Sequence, residues 1–261
     1  MPARLDTNVW PEPGVACIMG SMHRSLALAV VATVLLAAAP AHAATGSDQK
    51  IVKLSNEVTT TLWAHPGATS LIRYNPSLKS HGFRRLHLMT EDGFPEIYIA
   101  LAKTVDENGA QWIKIRVPMR PNGKTGWVPR DALGRFHTNH EHLIVDRHKL
   151  RATLFYYKRK LWSSPVGVGK PGTPTPGGRF YIRERIRALQ GGTIYGPYAF
   201  GTSDYSTLSE WPGGGVVGIH GDWNHPELIP GRPSHGCIRL PNNKVTQLWH
   251  LLALGTPLHV I

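Results

Sequence analysis

Gly213-Gly-Gly-Val-Val-Gly-Ile-His220, followed after a loop by Pro230-Gly-Arg-Pro-Ser-His-Gly-Cys-Ile-Arg239, decides how this 261-residue chain is read. Val216 to Ile219 is a short apolar, β-branched run bounded by glycines, the signature of a buried strand. His220 closes it. Cys237 lies 17 residues further on, in Ser234-His235-Gly236-Cys237-Ile238-Arg239. A strand that ends in His220 and returns through a loop can bring Cys237 alongside.

Those residue types carry chemistry. A thiol at its ordinary pKa is mostly protonated near neutrality, and the thiolate is the nucleophile. A neighbouring imidazole can take the proton and later return it to a leaving amine. His235, two residues before Cys237, would share a face with it in an extended strand, so spacing alone leaves both His220 and His235 as bases. Gly236 permits a bent backbone whose successive N–H groups can form an oxyanion hole, and Arg239 can hold a carboxylate. Spacing also leaves two other readings open. His220, Asp222, His225, His235 and Cys237 are plausible zinc ligands, and the thiol can be a buried, inert core group.

Working outward, 21 prolines and 27 glycines without a long periodic helical stretch predict a mainly β fold with many turns. Residues 44–135 read as a small β-rich module. Glu96 to Lys103 is strand-like, Asp106-Glu-Asn-Gly109 a turn, and Ile113, Ile115 and Val117 alternate with polar or amphipathic neighbours as in a half-buried strand. Residues 136–141 read as a linker. Its histidines, with His142, are expected on solvated surface rather than on a metal. From His142 a second strand series begins, with turns at Asp146 to Lys149 and near Lys158 to Lys160. Gly169 to Gly178 reads as a stiff surface loop. Asn243 to Leu254 is the one clear helix, with Val245, Leu248, Trp249, Leu251 and Leu252 on or near one face, and Leu258 to Ile261 is a final strand.

The N-terminus reads as an export signal. His23 and Arg24 precede a 14-residue apolar run, Leu26 to Ala39, and then Ala41-His42-Ala43. Basic start, short apolar core and small residues two apart are the parts of a secretory signal peptide, too short to span a bilayer comfortably. Cleavage is expected after Ala43. Met1 to Ser21 fit no such signal, so either Met19 or Met22 is the start or the leader is unusually long. Removal of residues 1–43 also removes Cys17 and leaves Cys237 as the sole cysteine, an exposed position chemically in an oxidising compartment. The net charge of +12 is spread rather than run together, and aromatics do not interleave with lysines. No nucleic-acid partner is expected; a basic solvated surface, or a wall rich in anionic polymer, fits the charge.

The segment around Cys237 resembles the L,D-transpeptidase catalytic domain, the YkuD-type fold. The resemblance rests on His220, thirteen intervening residues, then Ser234-His235-Gly236-Cys237-Ile238-Arg239, a gap at or just below the short end of the family's range. Pro165 to Gly169, Thr173 to Phe180, Gly196-Pro-Tyr198 and Gly231-Arg-Pro233 match as well. It covers residues 142–261 and implies a β-sandwich-like domain without metal or cofactor. It implies that Cys237 attacks the third stem residue of a peptidoglycan tetrapeptide, the L-centre of a diamino acid, and expels D-alanine. His220 would be base and acid, its ring held by the carbonyl of Gly221. The backbone of His235, Gly236 and Cys237 would line the oxyanion hole, with Ser234 shaping the turn. An amine acceptor would give a 3-3 cross-link, and water would give L,D-carboxypeptidase activity. Tyr195, Tyr198, Phe200, Trp211 and Trp223 are candidates to line the substrate cleft. More loosely, the short strands ending in Gly126-Trp-Val128 before Asp131-Ala-Leu133 resemble a bacterial SH3-type barrel, without catalysis of its own. A metal-dependent wall peptidase and a non-catalytic wall-binding protein are the remaining alternatives.

Overall fold

The computed structural model describes residues 50–187, 194–210, 212–222 and 224–261. The export signal and Cys17 lie outside the described residues, as do Trp211 and Trp223. The fold is mainly β, with three sheets and one α-helix among the described residues.

The first sheet uses β1 (Val52–Lys53), β2 (Thr61–Ala64), β3 (Leu71–Arg73), β4 (Gly82–Arg85), β5 (Tyr98–Val105), β6 (Gln111–Arg116), β7 (Thr125–Pro129) and β8 (His137–Asn139). Its order is β4-β3-β7-β6-β5-β2-β8, with β1 added to β5, and all pairs are antiparallel. Local chemistry sets the turns. Asp106 Oδ1 accepts the N–H groups of Asn108 and Ala110, and Gly109 supplies φ +81°, closing the β5–β6 hairpin. Ile113, Ile115 and Val117 are buried in one core with Ile72, Leu86 and Val128. Trp112 is buried on the opposite face, beside Trp127.

Residues 136–141, expected as a linker, instead hold β8, whose Thr138 pairs with Leu62 of β2. The polar sequence hid a strand because its partner supplies the pairing. The histidines there are not simply solvated. His137 stacks on Trp63 at 4.4 Å, His140 stacks on Tyr157 at 4.3 Å, and His142 is buried.

The remaining elements are β9 (Glu141–Asp146), β10 (Arg151–Tyr156), β11 (Arg159–Pro165), β12 (Gly167–Gly169), β13 (Gly178–Tyr181), β14 (Ile186–Arg187), β15 (Tyr198–Tyr205), β16 (Val216–Gly221), β17 (Gly231–Ser234), β18 (Ile238–Leu240), α1 (Asn242–Trp249) and β19 (Pro257–Val260). One sheet runs β11-β10-β9-β19-β13 and the other β14-β15-β16-β18-β12-β17. Asp146 Oδ1 accepts from His148 and Lys149 and turns β9 into β10. The helix is shorter than its periodicity predicts: His250 ends it, although Leu252 still bonds back to Leu248 and is buried. Val245, Leu248 and Leu252 fill the same core as Leu143, Val168, Phe200 and Ile238.

Residues 46–261 form one compact unit. The first sheet is tied to the second half by buried polar groups. Arg183 Nε donates to Glu96 Oε1 at 3.0 Å, and its Nη2 also meets Glu96 and Glu91. Arg183 and Glu96 are 2% and 1% exposed. Tyr181 Oη donates to Ile97 O at 2.9 Å, Asn139 Nδ2 donates to Leu254 O at 2.6 Å, and Asn122 Nδ2 donates to Asp204 Oδ1 at 2.7 Å. Removing one partner of a buried pair leaves an uncompensated charge, costing roughly 3 kcal/mol or more. Glu96→Ala is therefore expected to lower stability by about that amount, read as a fall in the urea midpoint at unchanged slope. Glu107→Gln, at the exposed Lys79–Glu107 pair, leaves the midpoint in place.

Candidate functional site

Parallel strands need a crossover between them, and the loop after β16, with β17, provides one. β16 and β18 run parallel with Ile219 opposite Ile238 and His220 opposite Arg239. This register brings Cys237, at the mouth of β18, against Gly218, whose N–H points at Cys237 Sγ at 3.5 Å. A Cβ built on Gly218 would lie 4.0 Å from that sulfur and 3.9 Å from His220 Cδ2. Gly218 thus lies beneath both groups, and its missing side chain leaves the space between them open.

His220 is buried, and its Nδ1 is 2.5 Å from Gly221 O. A carbonyl only accepts, so Nδ1 carries the proton and Nε2 holds the free lone pair. Tyr195 sets its ring edge-on to the imidazole at 4.9 Å. Burial lowers the His220 pKa to about 4; the Gly221 carbonyl works against this shift. Burial likewise pushes the half-buried Cys237 thiol up, with the Gly218 N–H and Arg239 pulling it back. Burial thus favours the uncharged form of thiol and imidazole alike.

The turn before Cys237 is held from both sides. Ser234 Oγ donates to Cys237 O at 2.6 Å and accepts from Gly236 N at 3.2 Å. Gly236 has φ +133°, in the region that favours glycine. Thr175 Oγ1 donates to Gly236 O at 2.7 Å and accepts from Gly169 N at 2.9 Å. The Gly169 to Gly178 segment is irregular between its end strands, as its prolines predict, but Thr175 is buried rather than on the surface. Nothing in the residues around Thr175 marks this role.

His235 does not share the face of Cys237. The bend at Gly236 breaks strand alternation, and His235 is exposed with Nε2 2.9 Å from Lys170 Nζ. Arg239 donates from Nη1 to Asp222 Oδ2 at 2.9 Å, so its charge is shared with a buried carboxylate. Asp222 is fixed in turn by Asn242, which accepts from its N–H at 2.9 Å. His225 is exposed beside Glu227. The five plausible zinc ligands thus face different partners, and among the described residues no group of three or more His, Cys, Asp or Glu is arranged to hold a metal ion. Tyr198, expected to touch substrate, stacks on Trp249 at 4.6 Å and packs against the core.

Cys237, His220 and Gly218 open onto a cavity of about 200 Å³, walled by Tyr195, Phe200 and Glu184 and reached by Asp92 from the β4–β5 connection. Neither carboxylate was singled out by sequence; Glu184 sits among arginines in Arg183-Glu184-Arg185, where nothing marks it as facing a cleft.

The electrostatics predict two pH effects. Iodoacetamide labelling of Cys237 is expected to rise through and beyond the ordinary thiol range, without a plateau near neutrality. Second, folding prefers neutral His220. The stability it contributes is complete above the unfolded value of about 6.5 and is lost as pH falls towards about 4, because the unfolded chain binds the proton first. The urea midpoint of the wild type is expected to fall more steeply across this window than that of His220→Gln.

The chain is similar to parts of known proteins. The Bacillus subtilis (strain 168) protein YkuD, which carries an L,D-transpeptidase name, is 35% identical over 115 residues, 44% of this chain and 62% of that protein. A solved Bdellovibrio bacteriovorus protein, Bd1075, is similar at 26% identity and a TM-score of 0.38, covering 47% of this chain and 48% of that one. An Enterococcus faecium L,D-transpeptidase is similar at 20% identity and a TM-score of 0.39, covering 74% of each chain. The chain thus spans less than two thirds of the length of the Bacillus and Bdellovibrio proteins. It is over residues 140–260, the stretch that holds β9 to β19 and the Cys237–His220 site, that the chain matches the YkuD family, the L,D-transpeptidase catalytic domain.

Proposed function

We propose that this protein is an exported L,D-transpeptidase that acylates Cys237 with peptidoglycan tetrapeptide stems, releases D-alanine and forms 3-3 cross-links. The observation that carries the reading is the placing of Cys237 Sγ beside Gly218, with His220 next to it and its Nδ1–H held by Gly221 O. The match over residues 140–260 supports it.

In this reading both groups start neutral, so attack and proton transfer occur together. Sγ forms a bond to the carbonyl carbon of the third stem residue as its proton passes to His220 Nε2. The carbonyl oxygen becomes an oxyanion, met by backbone N–H groups around Gly236. The Gly236 N–H bond to Ser234 Oγ is long at 3.2 Å and can give way to it. The C–N bond to D-alanine then breaks, and His220 returns its proton to the leaving amine. A second stem's amine attacks the thioester, loses a proton through His220, and the sulfur departs as the thiol. The buried Gly221 carbonyl keeps one tautomer throughout, so the same Nε2 serves both half-reactions. Water as acceptor gives the carboxypeptidase reaction.

The first sheet is read as a loosely SH3-like accessory module, on the strength of its short antiparallel strands and Gly126-Trp-Val128. The apolar run Leu26 to Ala39 supports export.

The test is incubation with a defined disaccharide-tetrapeptide and mass spectrometry of the products. A dimer lacking one D-alanine is expected; a tripeptide alone indicates hydrolysis, and unchanged substrate overturns the reading. Cys237→Ala is expected to abolish turnover and the covalent adduct with a carbapenem, and His220→Ala to slow acylation by about 10²-fold or more.

A further inference from the structure

The cavity beside Cys237 is acidic in a protein of net charge +12. Its charged walls are Glu184 and Asp92, and among the described residues no lysine or arginine lines it. Glu184 is 3% exposed, and its Oε2 has no hydrogen-bond partner. Buried carboxylate oxygens are ordinarily paired, because desolvation without a partner is costly. The neighbouring guanidinium does not fill the vacancy. Arg183 is committed to Glu96, Glu91 and Tyr205.

The register shows where this oxygen lies. Gly201 of β15 stands directly opposite Gly218 of β16. A Cβ on Gly201 would collide with Glu184 Oε2, whereas a Cβ on Gly218 would approach Cys237 Sγ. Opposed residues of an antiparallel pair point to the same face, with Cβ positions about 5 Å apart. Carboxylate and sulfur therefore line the same cavity over a floor of two glycines. Apolar wall residues, Phe200, Ile186 and Val216, flank them. This is the setting for a methylene chain ending in a cation.

Resting on the transpeptidase reading, we propose that Glu184 and Asp92 form a subsite for the side-chain ammonium of the acyl donor's third residue, making them the specificity-determining residues for a diamino acid there. The donor, rather than the acceptor, has a side-chain nitrogen free to occupy this subsite. The acceptor's amine must reach the acyl carbon itself. The donor's side-chain nitrogen stands six bonds from that carbon, a reach of about 7 Å with bonds of about 1.5 Å. Burial first, and then the charge of Asp92, raise Glu184 to about 7, against the pull of Thr90 and Arg183. An arriving ammonium would restore its ionised form. Asp92 comes from the first sheet's side of the molecule, so that module takes part in choosing the substrate.

The test compares two tetrapeptides ending in D-alanine, one with L-lysine as third residue and one with L-norleucine, which lacks only the amine. Binding to full-length Cys237→Ala protein is measured by calorimetry. The lysine peptide is expected to bind about tenfold more tightly or better. Adding Glu184→Gln is expected to bring the ratio close to one, and adding Asp92→Asn to reduce it. Equal binding of the two peptides, or a ratio that neither substitution changes, overturns the proposal. Asp92 is exposed, so Asp92→Asn decides should Glu184→Gln fail to fold. D-alanine release by the wild type is followed separately. Release from neither peptide overturns the transpeptidase reading, while the binding ratio still decides the subsite.

Discussion

The parallel pairing of β16 with β18 is the constraint on which the site depends. It is a register of three residue pairs, Ile219 to Gly221 against Ile238 to Leu240. A slip by one residue would turn every side chain to the other face. His220 would leave the imidazole pocket beside Tyr195, and the sulfur would lose Gly218. Two fully buried isoleucine and leucine side chains, Ile238 and Leu240, lock that register into the core shared with α1. The chemistry is thus positioned by apolar packing, with hydrogen bonds refining it. Thr175 and Ser234 then fix the backbone of the bend that the packing has delivered.

Water exclusion shapes the electrostatics of this arrangement. Burial disfavours charge on His220 and on Cys237 alike. The same desolvation raises Glu184 nearby. Burial is the largest cause at all three ionisable groups around the cavity, and at Glu184 the charge of Asp92 adds to it. A substrate that supplies a counter-charge or takes a proton would favour the charged forms.

What the residues disclosed in advance was mostly local. The Asx-type turns at Asp106 and Asp146 are written into neighbouring residues, as is the helix face from Val245 to Leu252. Spacing alone offered His220 and His235 as partners of the thiol, and it was the resemblance of the Ser234 to Arg239 segment that singled out His220. His235 remained a rival in spacing until the positive φ at Gly236 turned it towards Lys170. Long-range partners were not legible. β8 is polar and short, and becomes a strand because β2 presents an edge. Thr175 lies in a run of prolines that reads as surface, yet its hydroxyl joins two backbones distant in sequence. Asp92 sits beside Gly93 in a turn-like stretch, with no sign of the cleft it reaches.

The seam around Arg183 carries a consequence for how such a protein can change over generations. A guanidinium sealed between two parts of one chain makes those parts dependent on each other. Replacing the first sheet with an unrelated module would strand that cation without Glu96 and Glu91, and would remove the backbone acceptor of Tyr181 at Ile97. Recombination at the border between the parts would thereby cost this chain its buried seam.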